Sequence, residues 1–485
     1  MMKLIKNILK IIVFLLLLFV VVLKLGDFLK PEWNDEWINT AVVQDFYALP
    51  KNSIDVLAVG SSQLIKGFSG LELYKNYGYS AYGIGTEQQS LMNSYAFIKE
   101  SLKYQNEKVV LFETKMSFEA TPEPQNRKGI DNMKLSMNKI NLIWNDSWQR
   151  GSFENFFSLL FPVTRFHSRW NEIIHGEEYV NKPSYPNYMG YSLTGEISGD
   201  LTYKNLDETV KSRAPYYKNN EKYIQKIIDI CKKKNIKLIF YKNPDKDWDM
   251  ERYNTIKDIA DKNEVPYIDF NLKKYSDEIN FVYSSDSQTL NHLNIYGTEK
   301  IMSYLGKYIN DNYGAEISDK RNDDAYNFLK EKYEEYRLDV LNKKIPNIFV
   351  VGDYLETLSS KDLTLCITKN SGFNGVLSED SKRQMRNLGI NLPLLESSKN
   401  YCAVIESGKV LYEEGSSAKI EKEMTLENVH NIKLIAGELP EIYFDKMDVS
   451  KRHSGINIFI YNNKNKAIVE TGFIDFENGN LMCGR

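Results

Sequence analysis

The feature of this chain that most limits its possible folds is a repeated alternation of short β-rich segments and amphipathic helical segments. The alternation begins at residue 54 and, after a long interruption, resumes near residue 223. Short strands separated by such helices predict a parallel sheet that is covered by helices on both faces. The predicted strands are 54–59, 79–82, 108–112, 236–241 and 267–270, and the predicted helices are 71–76, 88–102, 223–231 and 253–259.

The first strand ends in a turn of small residues. Residues 54–62 read Ile-Asp-Val-Leu-Ala-Val-Gly-Ser-Ser, which places the hydroxyl of Ser62 just beyond the strand. Open α/β sheets bind ligands at the carboxyl ends of their strands, because the strands fix the loops while the loops stay accessible. Ser62 is therefore a candidate nucleophile, and the alternative is an ordinary turn whose serine caps the next helix.

A histidine far along the chain is a candidate partner for this serine. His292 lies in Asn-His-Leu-Asn-Ile-Tyr-Gly, directly before a helix with Ile301, Leu305 and Ile309 on one face. A histidine just ahead of a packed helix is held in place yet accessible, which suits a general base. The alternative is a histidine that only starts the helix or lies at the surface.

Three short blocks together resemble the SGNH/GDSL hydrolase-like superfamily. The blocks are Gly60-Ser61-Ser62, Tyr82-Gly83-Ile84-Gly85-Thr86, and His292-Leu293-Asn294 with Gly297. The greatest likeness is to the membrane-anchored bacterial branch, the DltD- and AlgJ-like proteins, which serves O-acylation of cell-surface polymers. The resemblance implies Ser62 as nucleophile, His292 as base and the backbone N–H of Gly85 in an oxyanion hole.

The chain departs from the family pattern at two positions. The family usually has an aspartate three residues before the histidine, where this chain has Thr289, and the nearest substitute is Asp286. The family also has an asparagine after a further strand, where this chain has Glu113-Thr114-Lys115. The expected catalytic set is therefore Ser62, His292 and Asp286.

The N-terminus predicts a membrane anchor. Residues 11–23 contain no polar side chain, and with residues 4–10 they give about 20 residues, enough to span a hydrocarbon core. A cleaved signal peptide is the alternative, but no Ala-x-Ala-like site follows. Lys3, Lys6 and Lys10 precede the apolar run and acidic residues follow it, so the N-terminus is expected in the cytoplasm and the bulk of the chain outside, in a single-pass protein of the cell membrane.

Two polar-aromatic clusters are further candidates. His167, Arg169 and Trp170 lie in 118–215, an insertion that is expected to form a lid or a substrate subdomain, and they are candidates for holding a sugar or an acyl donor. The alternative is that Trp170 packs and Arg169 pairs with an acid. Residues 245–248, which follow a strand, carry the same two interpretations.

Composition excludes some classes of function. The net charge of −3 and the lack of a basic patch with interleaved aromatics argue against a nucleic-acid partner. No Cys-x-x-Cys or His-x-x-x-His spacing suggests a metal, and no cofactor is expected. Cys231 is expected in a core, whereas Cys366, Cys402 and Cys483 could supply one disulfide in an exported chain.

After a predicted charged helix, the sequence pattern changes to one that predicts short strands and hairpins. This segment, about residues 346–476, resembles the ILEI/PANDER (interleukin-like EMT inducer) domain, most clearly at 398–405, 455–461 and 469–475. The resemblance implies a β module that binds glycan or docks a protein. Strands are predicted at 348–351, 363–367, 401–405, 455–461 and 467–470, with one helix at 379–388 that ends at Gly389.

The expected layout is a transmembrane helix, an α/β domain with a parallel sheet, and a mainly-β C-terminal domain. Its segments are 1–26 (anchor), 27–312 (SGNH hydrolase-like domain), 313–345 (linker helix) and 346–485 (ILEI-like domain). Two functions are compatible with this layout. One is an extracytoplasmic O-acyltransferase or esterase that acts on a cell-surface glycan, with an acyl donor or a membrane-bound acyltransferase as partner. The other is a non-catalytic scaffold that binds glycan or partner proteins, which Thr289 favours.

Overall fold

The chain forms two compact units in a computed structural model. The structure describes residues 2–31, 36–174, 185–199, 206–373, 375–427, 429–477 and 480–484. The first unit contains residues 1–333 and the second contains residues 334–485. The boundary falls within one helix, α16 (Asn327–Lys344).

A five-stranded parallel sheet is the centre of the first unit. Its strand order is β2-β1-β3-β4-β5, so the chain first adds β2 on one side of β1 and then β3 on the other. The strands are β1 (Val56–Gly60), β2 (Ala81–Gly85), β3 (Val109–Glu113), β4 (Lys237–Lys242) and β5 (Tyr267–Asp269). A separate two-stranded hairpin is formed by β6 (Ser287–Thr289) and β7 (His292–Leu293).

Helices cover both faces of this sheet. The helices from the first unit are α1 (Met2–Leu29), α2 (Ala41–Ala48), α3 (Ser62–Gly67), α4 (Gly70–Tyr77), α5 (Leu91–Ser101), α6 (Glu123–Asn132), α7 (Met137–Arg150), α8 (Phe153–Leu160), α9 (Val163–Phe166), α10 (Trp170–Ile174), α11 (Asn220–Lys234), α12 (Met250–Lys262), α13 (Lys273–Glu278), α14 (Tyr283–Asp286) and α15 (Ile295–Tyr313).

The sheet is buried on both sides, which explains its apolar sequences. Alternate residues such as Val56, Ala58 and Leu111 pack with α3 and α15 in one core cluster. The residues between them, including Leu57 and Val110, are also fully buried, and α5 and α11 contact the strands. Near-continuous apolar strands are what a parallel sheet covered by helices requires. The predicted α/β fold with a parallel sheet is confirmed.

The part of the long insertion between residues 123 and 174 is mainly helical. Within residues 118–215 the structure describes α6 to α10, while 175–184 and 200–205 lie outside the described residues. The backbone N–H of Gly83 donates to the carbonyl of Met189 at 2.9 Å, so part of the insertion covers β2 at the edge of the sheet. An exposed sheet edge would otherwise offer unpaired backbone groups to other chains.

The second unit has three layers. Its central layer is an antiparallel sheet of order β10-β9-β8-β15-β16-β17, and a smaller antiparallel sheet of order β11-β12-β13-β14 packs on it. Helices α17 (Val351–Leu358), α18 (Glu379–Asn387) and α19 (Leu392–Ser397) belong to this unit. The strands are β8 (Leu363–Lys369), β9 (Asn400–Glu406), β10 (Lys409–Ser416), β11 (Ile420–Leu426), β12 (His430–Ala436), β13 (Pro440–Phe444), β14 (Met447–Asp448), β15 (Ile456–Asn462), β16 (Ala467–Glu477) and β17 (Asn480–Gly484).

Alternation along the central strands separates two cores in this unit. Ile458 and Ile460 of β15 pack with the helices, whereas Phe459 and Tyr461 pack with the smaller sheet. This period of two is that of a strand buried on both faces. The predicted mainly-β C-terminal region is confirmed, as is the helix near 379–388, and Gly389 follows that helix with a φ of 87°.

One local prediction for the C-terminal region is wrong. Residues 348–351 do not form a strand, because Val351 begins α17 and its apolar residues Tyr354, Leu355 and Leu358 are buried at helical spacing. Short apolar runs do not distinguish a strand from a helix by periodicity alone. The four cysteines are all buried, and no disulfide joins any two of them in the described chain.

Candidate functional site

The turn between β1 and α3 holds Ser62. Ser61 is the N-cap of α3 and accepts a hydrogen bond from the backbone N–H of Gln63, while the Ser61 hydroxyl donates to Glu113 Oε2 at 2.9 Å. Glu113 ends the neighbouring strand β3 and is 1% exposed. The turn is therefore tied to two adjacent strands, and Ser62, the first residue of α3, stays partly exposed.

Ser62 lies at the switch point of the sheet. β1 has β2 on one side and β3 on the other, and the chain passes from one side to the other between them. In open α/β sheets ligands bind beyond the carboxyl ends of the strands at this point. The position of Ser62 therefore follows from the strand order as well as from its own turn.

Gly85 lies directly beside the serine turn. It ends β2 and is paired in register with Gly60 of β1. A Cβ at position 85 would lie 3.1 Å from the carbonyl oxygen of Ser61 and 2.9 Å from Leu64 Cδ2. The close approach of the two backbones leaves no room for a side chain, so the main chain of Gly85 borders the site.

The β6–β7 hairpin brings His292 to Ser62. Nε2 of His292 lies 2.9 Å from Ser62 Oγ, although the residues are 230 positions apart. Thr289 pairs with His292 across the hairpin, and Thr289 Oγ1 lies 3.0 Å from Nδ1. Because Nε2 accepts from the serine hydroxyl, Nδ1 carries the proton and donates it to Thr289 Oγ1. The Thr289 hydroxyl is 3.3 Å from Asn291 Oδ1, to which it donates.

The structure places Thr289, and not Asp286, against the imidazole. The Asp286 carboxylate is buried and accepts hydrogen bonds from Lys300 Nζ at 2.6 Å and from the backbone N–H of Val282 at 2.7 Å. A Cβ at Gly297 would lie 2.2 Å from the carbonyl oxygen of Asp286, so only glycine fits there. Asp286 thus joins α14 to α15, and a hydroxyl occupies the position where a carboxylate would orient the histidine.

A buried polar network lies beside the serine and histidine, and it joins the predicted candidate Asp245 to Gln63, Lys115 and Lys242, which were not predicted. Asp245 Oδ2 accepts from Gln63 Nε2 at 2.7 Å, Lys242 Nζ at 3.0 Å and Lys115 Nζ at 3.1 Å. Burial opposes the charge on Asp245, but the Lys242 and Lys115 ammonium groups outweigh it and hold the pKa of this carboxyl well below its usual range. Lys115 and Lys242 lie at or just beyond the ends of β3 and β4, and this position was the signal that could have identified them.

The surroundings of His292 keep it neutral. Burial and then the nearby Lys115, Lys66 and Lys242 ammonium groups lower the pKa of the imidazole to about 4, with Asp245 opposing them. The ring of Trp37 lies 5.1 Å from the imidazole, centroid to centroid, and Lys66 Nζ lies 5.2 Å from the Trp37 ring. A neutral imidazole with Nε2 free to take a proton is the form that a general base needs.

The second set of predicted residues lies elsewhere. Arg169 Nη1 donates to the carbonyl of Leu29, at the end of α1, and Arg169 Nε donates to Glu172 Oε2 at 3.3 Å. His167 Nδ1 is 3.1 Å from the carbonyl of Thr164, and Trp170 is 51% exposed. The structure does not bring these three residues into the contacts between Ser62 and His292. Their assignment to substrate binding stays a prediction.

Of the residues that follow β4, one lies at the site and another packs in the core. Asp245 belongs to the network beside Ser62, whereas Trp248 is 5% exposed and its indole N–H donates to Asp269 Oδ2 at 2.8 Å. Trp248 is therefore a packed residue. In the described part of the chain, no group of three or more His, Cys, Asp or Glu side chains is arranged to hold a metal ion.

The arrangement can perform nucleophilic chemistry. A serine hydroxyl that donates to a neutral imidazole, beside a tightly packed glycine main chain, provides a nucleophile, a base and a place for donors to an oxyanion. Burial and then the charged lysines next to the imidazole oppose formation of its cation and lower its pKa from 6.5 to about 4.

Comparison with solved structures finds several chains that resemble this one. A crystal structure described as a "putative acylhydrolase" from Bacteroides fragilis aligns with 56% of this chain and 94% of its own, at 14% identity and a TM-score of 0.27. At that score the likeness supports no argument about activity. No protein-family model matches the sequence, and no curated protein matches it.

Proposed function

We propose that this protein is a membrane-anchored, serine-dependent O-acyltransferase or esterase that acts on a glycan at the cell surface. The observation that carries the proposal is the 2.9 Å contact between Ser62 Oγ and His292 Nε2 at the carboxyl end of β1. The similarity of the serine, glycine and histidine blocks to the SGNH/GDSL superfamily supplies the acyl-ester substrate class.

The proposed reaction has two steps. His292 Nε2 takes the Ser62 proton as Oγ forms a bond to the acyl carbonyl carbon. The bond from that carbon to the donor oxygen then breaks, and the donor oxygen leaves with the proton from His292. In the second step His292 Nε2 takes the proton of a glycan hydroxyl, or of water in an esterase, as that oxygen attacks the acyl carbon. His292 then gives this proton to Ser62 Oγ as the bond from the acyl carbon to Oγ breaks. Backbone N–H groups of Ser62 and Gly85 are the proposed oxyanion donors, each worth roughly 3 kcal/mol.

Helix α1 is the proposed membrane anchor, with the rest of the chain outside the cell. Residues 4–29 form a helix that is long and apolar enough to cross a membrane. The end of this helix packs on the folded unit, because a Cβ at Gly26 would lie 3.4 Å from Pro162 Cδ and Arg169 bonds to the Leu29 carbonyl. A signal peptide that is removed would leave these partners without their contacts, which favours a retained anchor. Lysines before the apolar run favour a cytoplasmic N-terminus.

A non-catalytic scaffold is the second candidate function. Thr289 favours it, because a hydroxyl in contact with Nδ1 cannot stabilise the imidazolium as a carboxylate would. In that case the second unit, with its likeness to glycan-binding or protein-docking ILEI modules, would carry the interaction with the cell-surface polymer.

The test is a pair of substitutions, Ser62→Ala and His292→Ala, in the purified full chain. Each is expected to reduce hydrolysis of a small acyl ester by roughly 10³-fold or more, and the double variant is expected to be no worse, because the two residues act as one unit. Covalent labelling by a fluorophosphonate should disappear in Ser62→Ala. Ser168→Ala, at an exposed position in the insertion, is the matched control.

The same variants in cells separate the two candidate functions. The acyl content of the surface polymer should fall to the level of a deletion strain in Ser62→Ala at equal protein level. Wild-type acylation by Ser62→Ala, together with absent fluorophosphonate labelling of the wild type, would establish the scaffold instead.

A further inference from the structure

The helical hairpin formed by α7 and α8 exposes a group of large aromatic side chains. Its outer side carries Trp144, Trp148, Phe153 and Phe157, which are 52%, 76%, 68% and 45% exposed. Large exposed apolar surfaces mark places where a protein meets a membrane or another protein. We call this set, with Phe156 and Phe161, the aromatic face.

The inner side of the same hairpin combines buried apolar residues, Leu142, Ile143 and Leu159, with a buried polar cluster. Asp146 is 3% exposed and accepts from Asn126 Nδ2 at 2.7 Å and from Asn155 Nδ2 at 2.8 Å. Arg150 Nε donates to the same carboxylate at 3.0 Å. The Asp146 carboxylate is thus paired inside the unit, while the aromatic rings are exposed at its surface.

The aromatic face is continuous with the apolar helix α1. Trp148 stacks on Trp144 with ring centroids 6.4 Å apart, and Trp144 contacts Phe156 at 5.8 Å. The chain of rings continues through Phe153, Phe157 and Phe161. Phe161 then contacts Phe19 of α1 edge to face, at 5.8 Å between centroids.

The position of Phe19 along α1 sets the depth of this contact. Phe19 is five residues before Lys24, the first charged residue after the apolar run, which corresponds to about 7.5 Å along a helix. If Lys24 lies at the membrane boundary, the ring of Phe161 is already within the hydrocarbon. Interfacial helices bury their apolar faces by about 5–10 Å, so the depth agrees with insertion of the hairpin.

We propose that the aromatic face inserts into the outer leaflet of the bilayer that α1 spans, with lipid acyl chains as its ligand. The inference rests on the proposed anchor. A groove of about 520 Å³ between Trp144, Trp148 and Phe153 offers a place for such a chain. Because α7 packs on α5, and α5 packs on β1 and β2, insertion of the hairpin fixes the orientation of the sheet relative to the membrane.

The test uses the full chain reconstituted into vesicles of phosphatidylcholine and phosphatidylglycerol with brominated acyl chains. Bromine quenches tryptophan that lies in the acyl region. The wild type should be quenched, and the Trp144→Phe/Trp148→Phe double variant should lose most of that quenching. Trp248→Phe is the matched control, because Trp248 is buried in the sheet unit and its loss should leave the quenching unchanged. Circular dichroism in detergent establishes that each variant folds.

Extraction of the same vesicles with alkaline carbonate separates failure of the hairpin from failure of the anchor. Retention with quenching that depends on Trp144 and Trp148 supports the inference. Retention of the protein with equal quenching of the wild type and the double variant overturns the inference and leaves the anchor intact. Retention of the protein with no tryptophan quenching in pure lipid also overturns it, and would point to a membrane-protein partner on the aromatic face. Release of the protein by carbonate overturns both proposals.

Discussion

At the scale of single residues, the contact between Thr289 and His292 distinguishes this site from a complete serine triad. In the tautomer that leaves Nε2 for the serine, Nδ1 carries the proton and donates it to the Thr289 hydroxyl. It adds no negative charge, and burial with three nearby lysines lowers the pKa of the imidazole to about 4. The site therefore has the hydrogen-bond geometry of a triad but lacks the negative charge that would stabilise the imidazolium.

The pH dependence follows from this pKa. Only neutral His292 can take the serine proton, so kcat/KM for ester hydrolysis should be flat through neutral pH and should fall only as the pH drops through about 4. Thr289→Asp should raise the pKa of His292, because the carboxylate stabilises the cation, and should move the acid limb to higher pH while raising turnover. Thr289→Asn is the matched neutral control. An unchanged acid limb in Thr289→Asp would contradict the assigned contact.

At the scale of elements, the β6–β7 hairpin and the start of α15 form one structural junction. Asp286 holds it together through Lys300 and the backbone of Val282, and Gly297 allows the Asp286 carbonyl to approach the helix. Asn294 caps α15 by accepting from the backbone N–H groups of Tyr296 and Gly297. His292 is positioned by this junction, which explains why the histidine block contains Asn294 and Gly297.

Asp286→Ala tests whether this carboxylate is structural. The change removes the acceptor of the Val282 backbone N–H and the carboxylate partner of Lys300, and should lower the free energy of unfolding by about 1–3 kcal/mol, measured by urea denaturation. The acid limb of kcat/KM should stay in place, since Thr289 contacts the ring. A shifted acid limb in a well-folded Asp286→Ala protein would instead support the orienting role that the sequence analysis predicted. Thr289→Ala, at an exposed position, is the control for stability.

At the scale of the whole molecule, the second unit includes part of helix α16. Leu341 and Ile345 pack in its helical core, Arg337 Nη1 pairs with Asp362 Oδ2 at 2.5 Å, and Asn462 Nδ2 donates to Asn342 Oδ1 at 2.8 Å. These contacts precede residue 346, where the sequence analysis began the C-terminal domain. The unit therefore begins near Glu334.

Two fragments test this boundary. Residues 334–485 should give a cooperative thermal transition when expressed alone, because both sheets and both cores are contained in them. Residues 346–485 should melt at a lower temperature, since they lack Leu341, Ile345 and the partners of Asp362 and Asn462. Equal melting temperatures for the two fragments would move the boundary back to Pro346.

Features that are encoded within a short window of residues are predictable from the sequence alone. Strand and helix periodicity predicted the parallel sheet and the mainly-β C-terminal region, thirteen uninterrupted apolar residues marked α1, and the turn after β1 marked Ser62. Periodicity failed at residues 348–351, where a run too short to distinguish strand from helix begins α17.

Only the tertiary structure decided which distant residues meet. The strand order and the hairpin register put Thr289 on the imidazole in place of Asp286, and gathered Lys115, Lys242 and Asp245 beside Ser62 from the ends of separate strands. Packing at the end of α1 placed Arg169 there, in contact with the Leu29 carbonyl. Such contacts depend on how elements far apart in the chain pair and pack, and a local pattern contains no information about that pairing.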